Sequence, residues 1–279
     1  MTPGITLSMP GRVDVTRILL TCLALCFLTL FLFLPLLAVL GNALQEGFPV
    51  FIKAVSHPET RAAIRLTLII LICVTPINVL FGISAAWAIT KSRTKGTNLL
   101  ITLIDLPLTV SPVISGTVFI LLFGSQGLVG AWLINHHISV VFALPGMVLA
   151  TLFVTLPYIA RELIPLMQSL GSDDEEIAIS LGASGWQTFW RITLPNIKWG
   201  LFYGIVLSTA RAIGEFGAVS VVSGHIRGKT ITLPLQVEIL YNEYNFTAAF
   251  AVAALMVLIS LVTLVLKKLL EHYKLNGPS

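Results

Sequence analysis

Six apolar runs, each about as long as a membrane-spanning helix needs to be, decide what this chain can fold into. They cover residues 18–40, 66–89, 99–123, 140–163, 199–223 and 247–270. A span takes roughly 20 mostly apolar residues, and every run meets that length. Composition agrees. Of 279 residues, 56% are hydrophobic and 11% charged, against about 25% charged in an average soluble domain. The expected class is therefore all-α, a polytopic membrane protein with six transmembrane helices in contact with the lipid bilayer. The first run is too long for a signal-peptide core and lacks a small-residue cleavage site, so it reads as a retained helix. No soluble domain fits between the runs. Residues 1–17, with Pro3, Gly4, Pro10 and Gly11, read as a tail. Residues 271–279 read as a second tail beyond the membrane body of residues 18–270.

Basic residues set the orientation. With the N-terminus inside, the inner segments hold eleven of them: Arg12, Arg17, Lys91, Arg93, Lys95, Arg161, Arg191, Lys198, Lys267, Lys268 and Lys274. The outer loops hold five: Lys53, Arg61, Arg65, Arg227 and Lys229. Both ends are thus expected in the cytosol. The basic residues form no stripe, which argues against nucleic acid. Cys22, Cys26 and Cys73 lie in apolar runs, where packing rather than a disulfide framework accounts for them.

One polar loop stands apart, residues 171–196, within the stretch from Arg161 to Lys198. Ser172 and Glu175 have the S-x-x-E spacing of a capping box. Asp173, Asp174, Glu175 and Glu176 crowd the first turn, where negative charge suits the helix dipole. Gly182 suits the left-handed residue that closes a helix. Ser184 and Gln187 form a second capping box. Trp186, Phe189, Trp190 and Thr193 then fall on one face of a second helix, which Pro195 is expected to stop. An acidic, rigid helix outside the bilayer fits a groove on a protein better than an anionic lipid surface. The aromatic helix is expected to anchor it against the spans.

The same loop resembles the EAA loop of ABC-importer permeases, whose pattern is E-A-A, three residues, G, nine residues, I-x-L-P. Here it reads Glu176, Ile177 in place of the first Ala, Ala178, Gly182, Ile192, Leu194 and Pro195. Residues 210–224 (ARAIGEFGAVSVVSG) and 233–240 (LPLQVEIL) extend the resemblance. Within that family the chain is similar to the W-type permeases of bacterial sulfate/thiosulfate importers, with molybdate permeases as more distant relatives. The resemblance implies a type I permease fold in a bacterial inner membrane. It implies that Asp173, Asp174, Glu175, Glu176, Ala178, Gly182, Ile192, Leu194 and Pro195 serve coupling to an ATPase. It also implies three partners: a second, T-type permease, a homodimeric ATP-binding subunit and a periplasmic sulfate/thiosulfate-binding protein. ATP and Mg would sit on the partner, and this chain would bind no cofactor and hydrolyse nothing alone.

Charges inside the runs are costly and line cavities or pair. Arg211 and Glu215 are spaced i, i+4 and lie near the middle of the fifth run. Two readings stand: a buried pair that fixes helix packing, or an arginine that offsets the charge of a passing dianion. In the third run Asp105 precedes Pro107 and Pro112, which interrupt the ladder. Asp105 is expected to cap the freed amides. The alternative makes the following half-helix, with Thr109, Ser111 and Ser115, part of an anion path. Gly200 and Gly204 form a G-x-x-x-G close-packing motif.

Two motifs point elsewhere. SGHIRGKT, residues 223–230, ends like a nucleotide-binding loop, but Ser223 holds the first glycine position and no soluble strand precedes it. GASG, residues 182–185, matches the G-x-S-G of intramembrane rhomboid proteases, but Ser184 lies in the polar loop. The five histidines, His57, His136, His137, His225 and His272, lie in outer loops or beyond the last run, so no span supplies a base. No H-E-x-x-H zinc motif is present. A permease subunit for another oxyanion such as molybdate is the nearer alternative, and a secondary transporter or an intramembrane protease is the alternative of a different class.

Overall fold

The computed structural model describes residues 15–91 and 96–276, with side chains through Leu269. Arg93, Lys95, the tail to Arg12 and the end after Asn276 lie outside the described residues, and the side chains of His272 and Lys274 lie outside the described side chains. Among the described residues all regular structure is helical. Helix α1 begins at Val15, and the last helix runs to Asn276.

In chain order the helices are α1 (Val15–Leu28), α2 (Leu34–Leu44), α3 (Phe48–Val55), α4 (Pro58–Lys91), α5 (Thr97–Thr109), α6 (Pro112–Phe123) and α7 (Gly130–Asn135). The second half adds α8 (Leu144–Leu170), α9 (Asp173–Ser180), α10 (Gly185–Thr188), α11 (Leu194–Ile213), α12 (Gly217–Ser223), α13 (Leu233–Asn242) and α14 (Phe246–Asn276). Four helices are long and apolar enough to cross a membrane, and up to six spans result if each of two bent pairs is one. The bent pairs are α5 with α6, at 101°, and α11 with α12, at 51°.

The prolines explain where helices bend and where they do not. Ser111 precedes Pro112 and is extended (φ −58°, ψ 131°), as is Val110 (φ −85°, ψ 135°). A residue before proline is pushed out of the helical region, so the third span breaks there. Pro107, expected to break it too, stays inside α5. Pro195 was expected to stop a helix and does not. A π turn, Phe189–Thr193, joins α10 to α11, and the Leu194 amide reaches back to the Phe189 carbonyl. The widened turn shifts the register by one residue just before the proline, so the ring does not strike the preceding turn. The same device recurs at Thr29–Phe33, before Leu34-Pro35, and makes α1 and α2 one long helix.

Helix α8 is the axis of the bundle, with α4 and α11 as its main neighbours. Small residues let them approach. A Cβ on Gly82 would lie 2.4 Å from Ile159 Cγ2, on Gly200 2.3 Å from Leu166 Cδ2, and on Gly204 3.2 Å from the Ile159 Cα. The Gly200/Gly204 motif therefore packs α11 on α8 within this chain. The two bent pairs also meet each other. A Cβ on Gly217 would lie 3.0 Å from Pro112 Cβ, and on Gly116 2.7 Å from the Ala218 carbonyl. One end of the bundle carries α9; its core includes Ala86, Ile159, Leu163, Met167 and Ile197. The opposite end packs Leu66, Ile70, Met147, Val219 and Leu235.

Candidate functional site

The acidic helix α9 ends as its glycine dictates. Gly182 has φ +90°, a conformation that favours glycine, with open space around it. The Ala183 amide donates to the Ala178 carbonyl at 3.0 Å, and the Gly182 amide to the Ile179 carbonyl at 2.9 Å. These two bonds are a Schellman motif and satisfy the carbonyls that a helix end leaves bare. The turn leads into the second capping box as expected. Ser184 Oγ accepts from the Gln187 amide at 3.3 Å, and the Ser184 amide donates to Gln187 Oε1 at 2.9 Å.

The first capping box does not form. Ser172 caps no amide; its hydroxyl donates to Glu176 Oε1 at 2.7 Å. Glu175 is drawn inward instead. Its Oε2 lies 2.9 Å from Lys91 Nζ at the end of α4, and its Oε1 accepts from Thr193 Oγ1 at 2.7 Å. Lys91 Nζ also donates to the Gly171 carbonyl at 2.7 Å, and Asn196 Nδ2 to Asp174 Oδ2 at 3.4 Å. A mostly buried cation outbids the local cap, because leaving it unpaired costs more than leaving one exposed amide to water. Glu175 thus ties α9 to α4 and to the π turn before α11.

Outward, α9 and the Leu181 that follows it present three aliphatic side chains beside the exposed carboxylates of Asp173, Asp174 and Glu176. Ile177 is 58% exposed, Ile179 57% and Leu181 83%. Ile177, where the family pattern has alanine, points away from the chain. Asp173 is exposed as well and has no partner among the described residues. Ala178 and Ile192 are half-buried, Leu194 packs against the core, and Pro195 is exposed.

The segment expected to anchor α9 supplies one polar contact of its own, the Thr193 hydroxyl on Glu175, and Lys91 and Asn196 add the others. Trp186 stacks on Phe189, Trp190 meets both rings edge-on, and with Trp87 and Leu80 of α4 they line an open apolar groove of about 1080 Å³.

Inside the membrane the expected Arg211–Glu215 pair is present, at 2.7 Å, with side chains 30% and 1% exposed. The pair does not sit on a continuous helix. Glu215 lies in the break between α11 and α12, and its Oε1 accepts from the Ala218 amide at 2.9 Å. One carboxylate therefore neutralises Arg211 and satisfies the first turn of α12. Asp105 does not cap the break in the third span. It faces Arg161 of α8, Oδ1 to Nε 3.4 Å, because that break falls beyond its reach and the arginine lies across from it. Arg161, read as part of the polar loop, is in α8, which continues to Leu170. Thr109 Oγ1 donates to the Leu106 carbonyl. Ser111 caps nothing, and Ser115 is buried with its hydroxyl on the Ser111 carbonyl. The structure does not gather Asp105, Thr109, Ser111 and Ser115 with Arg211 into one cluster of contacts.

Sequence reasoning missed a buried triad. Asn78 Nδ2 of α4 donates to Thr155 Oγ1 of α8 at 2.8 Å and to Ser208 Oγ of α11 at 3.0 Å. An asparagine in an apolar run was the available signal. In the loop at 223–230 the structure has no phosphate cradle: the Thr230 hydroxyl accepts from the Ile226 amide, and Arg227 pairs with Glu59 and Glu243.

Residues 78–273 match the family model of the binding-protein-dependent transport system inner membrane component. The chain belongs to that family. A sulfate transport system permease protein CysW from Synechocystis sp. is 46% identical over 96% of this chain and 97% of its own length. Its Escherichia coli counterpart is 49% identical over 86% and 82%. The CysT permease of Escherichia coli is 33% identical over 86% and 87%. Among solved structures, a chain of a bacterial ABC transporter for the acidic polysaccharide alginate superposes with TM-score 0.77 at 18% identity, covering 95% of this chain and 97% of that one. That likeness is one of fold. As an ABC permease, the chain carries α9 within the residues that the family model matches.

Proposed function

We propose that this permease is a W-type subunit of an ABC importer for sulfate and thiosulfate, and that α9 is the element through which a separate ATPase drives it. The substrate assignment is supported by identities near one half, over most of the chain, to sulfate permeases. The coupling assignment rests on one observation. Helix α9 shows three aliphatic side chains to solvent while its other side is bound to α4 and to the stem of α11. Such a knob buries apolar surface when it enters a cleft. Helical structure runs from Gly185 to Ile213 without a break, so movement of α9 is carried along one rod to Arg211 and the bend at Glu215.

The ATPase would be a homodimer holding ATP and Mg. A T-type permease would complete the membrane unit, and a periplasmic binding protein would deliver the anion. This chain would bind no cofactor. Arg211, the more exposed member of its pair, faces the path of the dianion, and Glu215 holds it there. The mechanism is alternating access driven by ATP on the partner. The test is a reconstituted complex assayed for labelled sulfate, thiosulfate and molybdate. Replacing Ile177, Ile179 and Leu181 together with serine is expected to leave membrane insertion intact and abolish ATPase association. Normal co-purification and uptake would overturn the coupling assignment. Uptake of molybdate alone would overturn the substrate.

A further inference from the structure

Helix α4 carries an unassigned stripe. Arg61, Arg65, Ile69, Ile72, Pro76, Leu80, Ile83 and Trp87 recur at spacings of three and four, one face of a helix. Ile72 is 72% exposed, Leu80 70% and Trp87 50%. Arg61 and Arg65 stand one turn apart, and with Lys229 they line an open cavity of about 360 Å³ that the apolar Leu66 and Ile69 also line. None of the three cations has an acidic partner among the described residues. The nearby Glu59 is held by Arg227, which also pairs with Glu243. That double pairing, and the left-handed Gly228 (φ +71°), fold the loop so that Lys229 lies over α4.

We propose that this stripe binds an anionic phospholipid in the leaflet opposite α9, with its phosphate on Arg61, Arg65 and Lys229 and an acyl chain along Ile69 and Ile72. Spacing supports it. Arg65 and Trp87 are 22 residues apart, about 33 Å along a helix, close to the roughly 30 Å of hydrocarbon in a bilayer. The arginines therefore stand at one headgroup layer and Trp87 at the other, where cations and tryptophans are favoured. The apolar part of the lining supports it too. A free dianion needs hydrogen-bond donors on all sides, whereas Leu66 and Ile69 are matched by hydrocarbon. An amphiphile satisfies both halves of the cavity.

The assembled transporter, extracted in mild detergent, is examined by native mass spectrometry after titration with phosphatidylglycerol or phosphatidylethanolamine. The expected result is one phosphatidylglycerol retained per copy of this chain. Retention should weaken about tenfold or more when Arg61→Gln, Arg65→Gln and Lys229→Gln are combined, and return largely in an Arg65→Lys variant that keeps the other two cations. If the triple variant does not assemble, Lys229→Gln, which lies on a loop, is read the same way. Equal phosphatidylglycerol retention in wild type and variant overturns the proposal. So does unchanged lipid with a raised KM for sulfate, which would assign the cations to the free anion. Cross-linking of Arg65→Cys to the second permease or the binding protein would also overturn it.

Discussion

Two glutamates, Glu175 and Glu215, do similar chemistry in different places. Each splits its carboxylate between a cation and a second donor. Glu175 bonds Lys91 and the Thr193 hydroxyl; Glu215 bonds Arg211 and the Ala218 amide. What differs is reach. The partners of Glu175 lie in α4 and in the stem of α11, so this glutamate joins three elements. The partners of Glu215 lie within four residues, so it shapes one bend. A local pair in the membrane sets geometry and stability, while a long-range pair at the loop transmits position. The continuous helix between the two sites is what lets one act on the other.

The largest effect is expected where the membrane gives no substitute for a lost partner. Glu215→Ala leaves Arg211 uncompensated and α12 uncapped, and is expected to cost about 3 kcal/mol or more, read as loss of folded complex in thermal melting in detergent. Glu215→Gln keeps an acceptor for Ala218 and should fall between. Equal melting of Glu215→Ala and wild type would show that the bend does not depend on the pair. A smaller effect belongs to the turn. Gly182→Val places a β-branched residue at φ +90° and is expected to cost about 1–2 kcal/mol, uncoupling transport, whereas Gly182→Asn tolerates the conformation and should retain most activity. The smallest effects compare the two serines. Ser184→Ala should destabilise the loop by about 1 kcal/mol, and Ser172→Ala by much less, since Ser172 caps no amide. Limited proteolysis of the loop would separate them; equal sensitivity would contradict the assignment of the caps.

These sites were legible in the sequence to different depths. Gly182 and the Ser184–Gln187 box were read correctly because their bonds close within a few residues. The Ser172–Glu175 box obeyed the same local rule and failed, because Lys91, 84 residues away in the chain, offers Glu175 a better partner. Pro195 was read as a stop, since a π turn leaves no mark in hydropathy. Arg161 was assigned to the loop because a charge ends an apolar run on paper, although in the structure Asp105 lies across from it. The Arg211–Glu215 pair was legible as a pair but not as a bend, and Asn78 was hidden in its run because its partners are on other helices. The architecture was the most legible level. Six runs and one acidic loop led to the class, and the family followed from Glu176, Gly182 and the distal Ile192, Leu194 and Pro195.

The central claim is that α9 moves with α4 and α11 through Glu175. A charge exchange tests it most directly. In proteoliposomes with all partners present, sulfate uptake per ATP hydrolysed is measured for Lys91→Glu, Glu175→Lys and the double exchange. Each single variant should lose about tenfold in that ratio, since like charges then face each other at the joint. The double exchange should recover most of it. Wild-type ratios in both single variants, or a double exchange no better than either, would contradict the account.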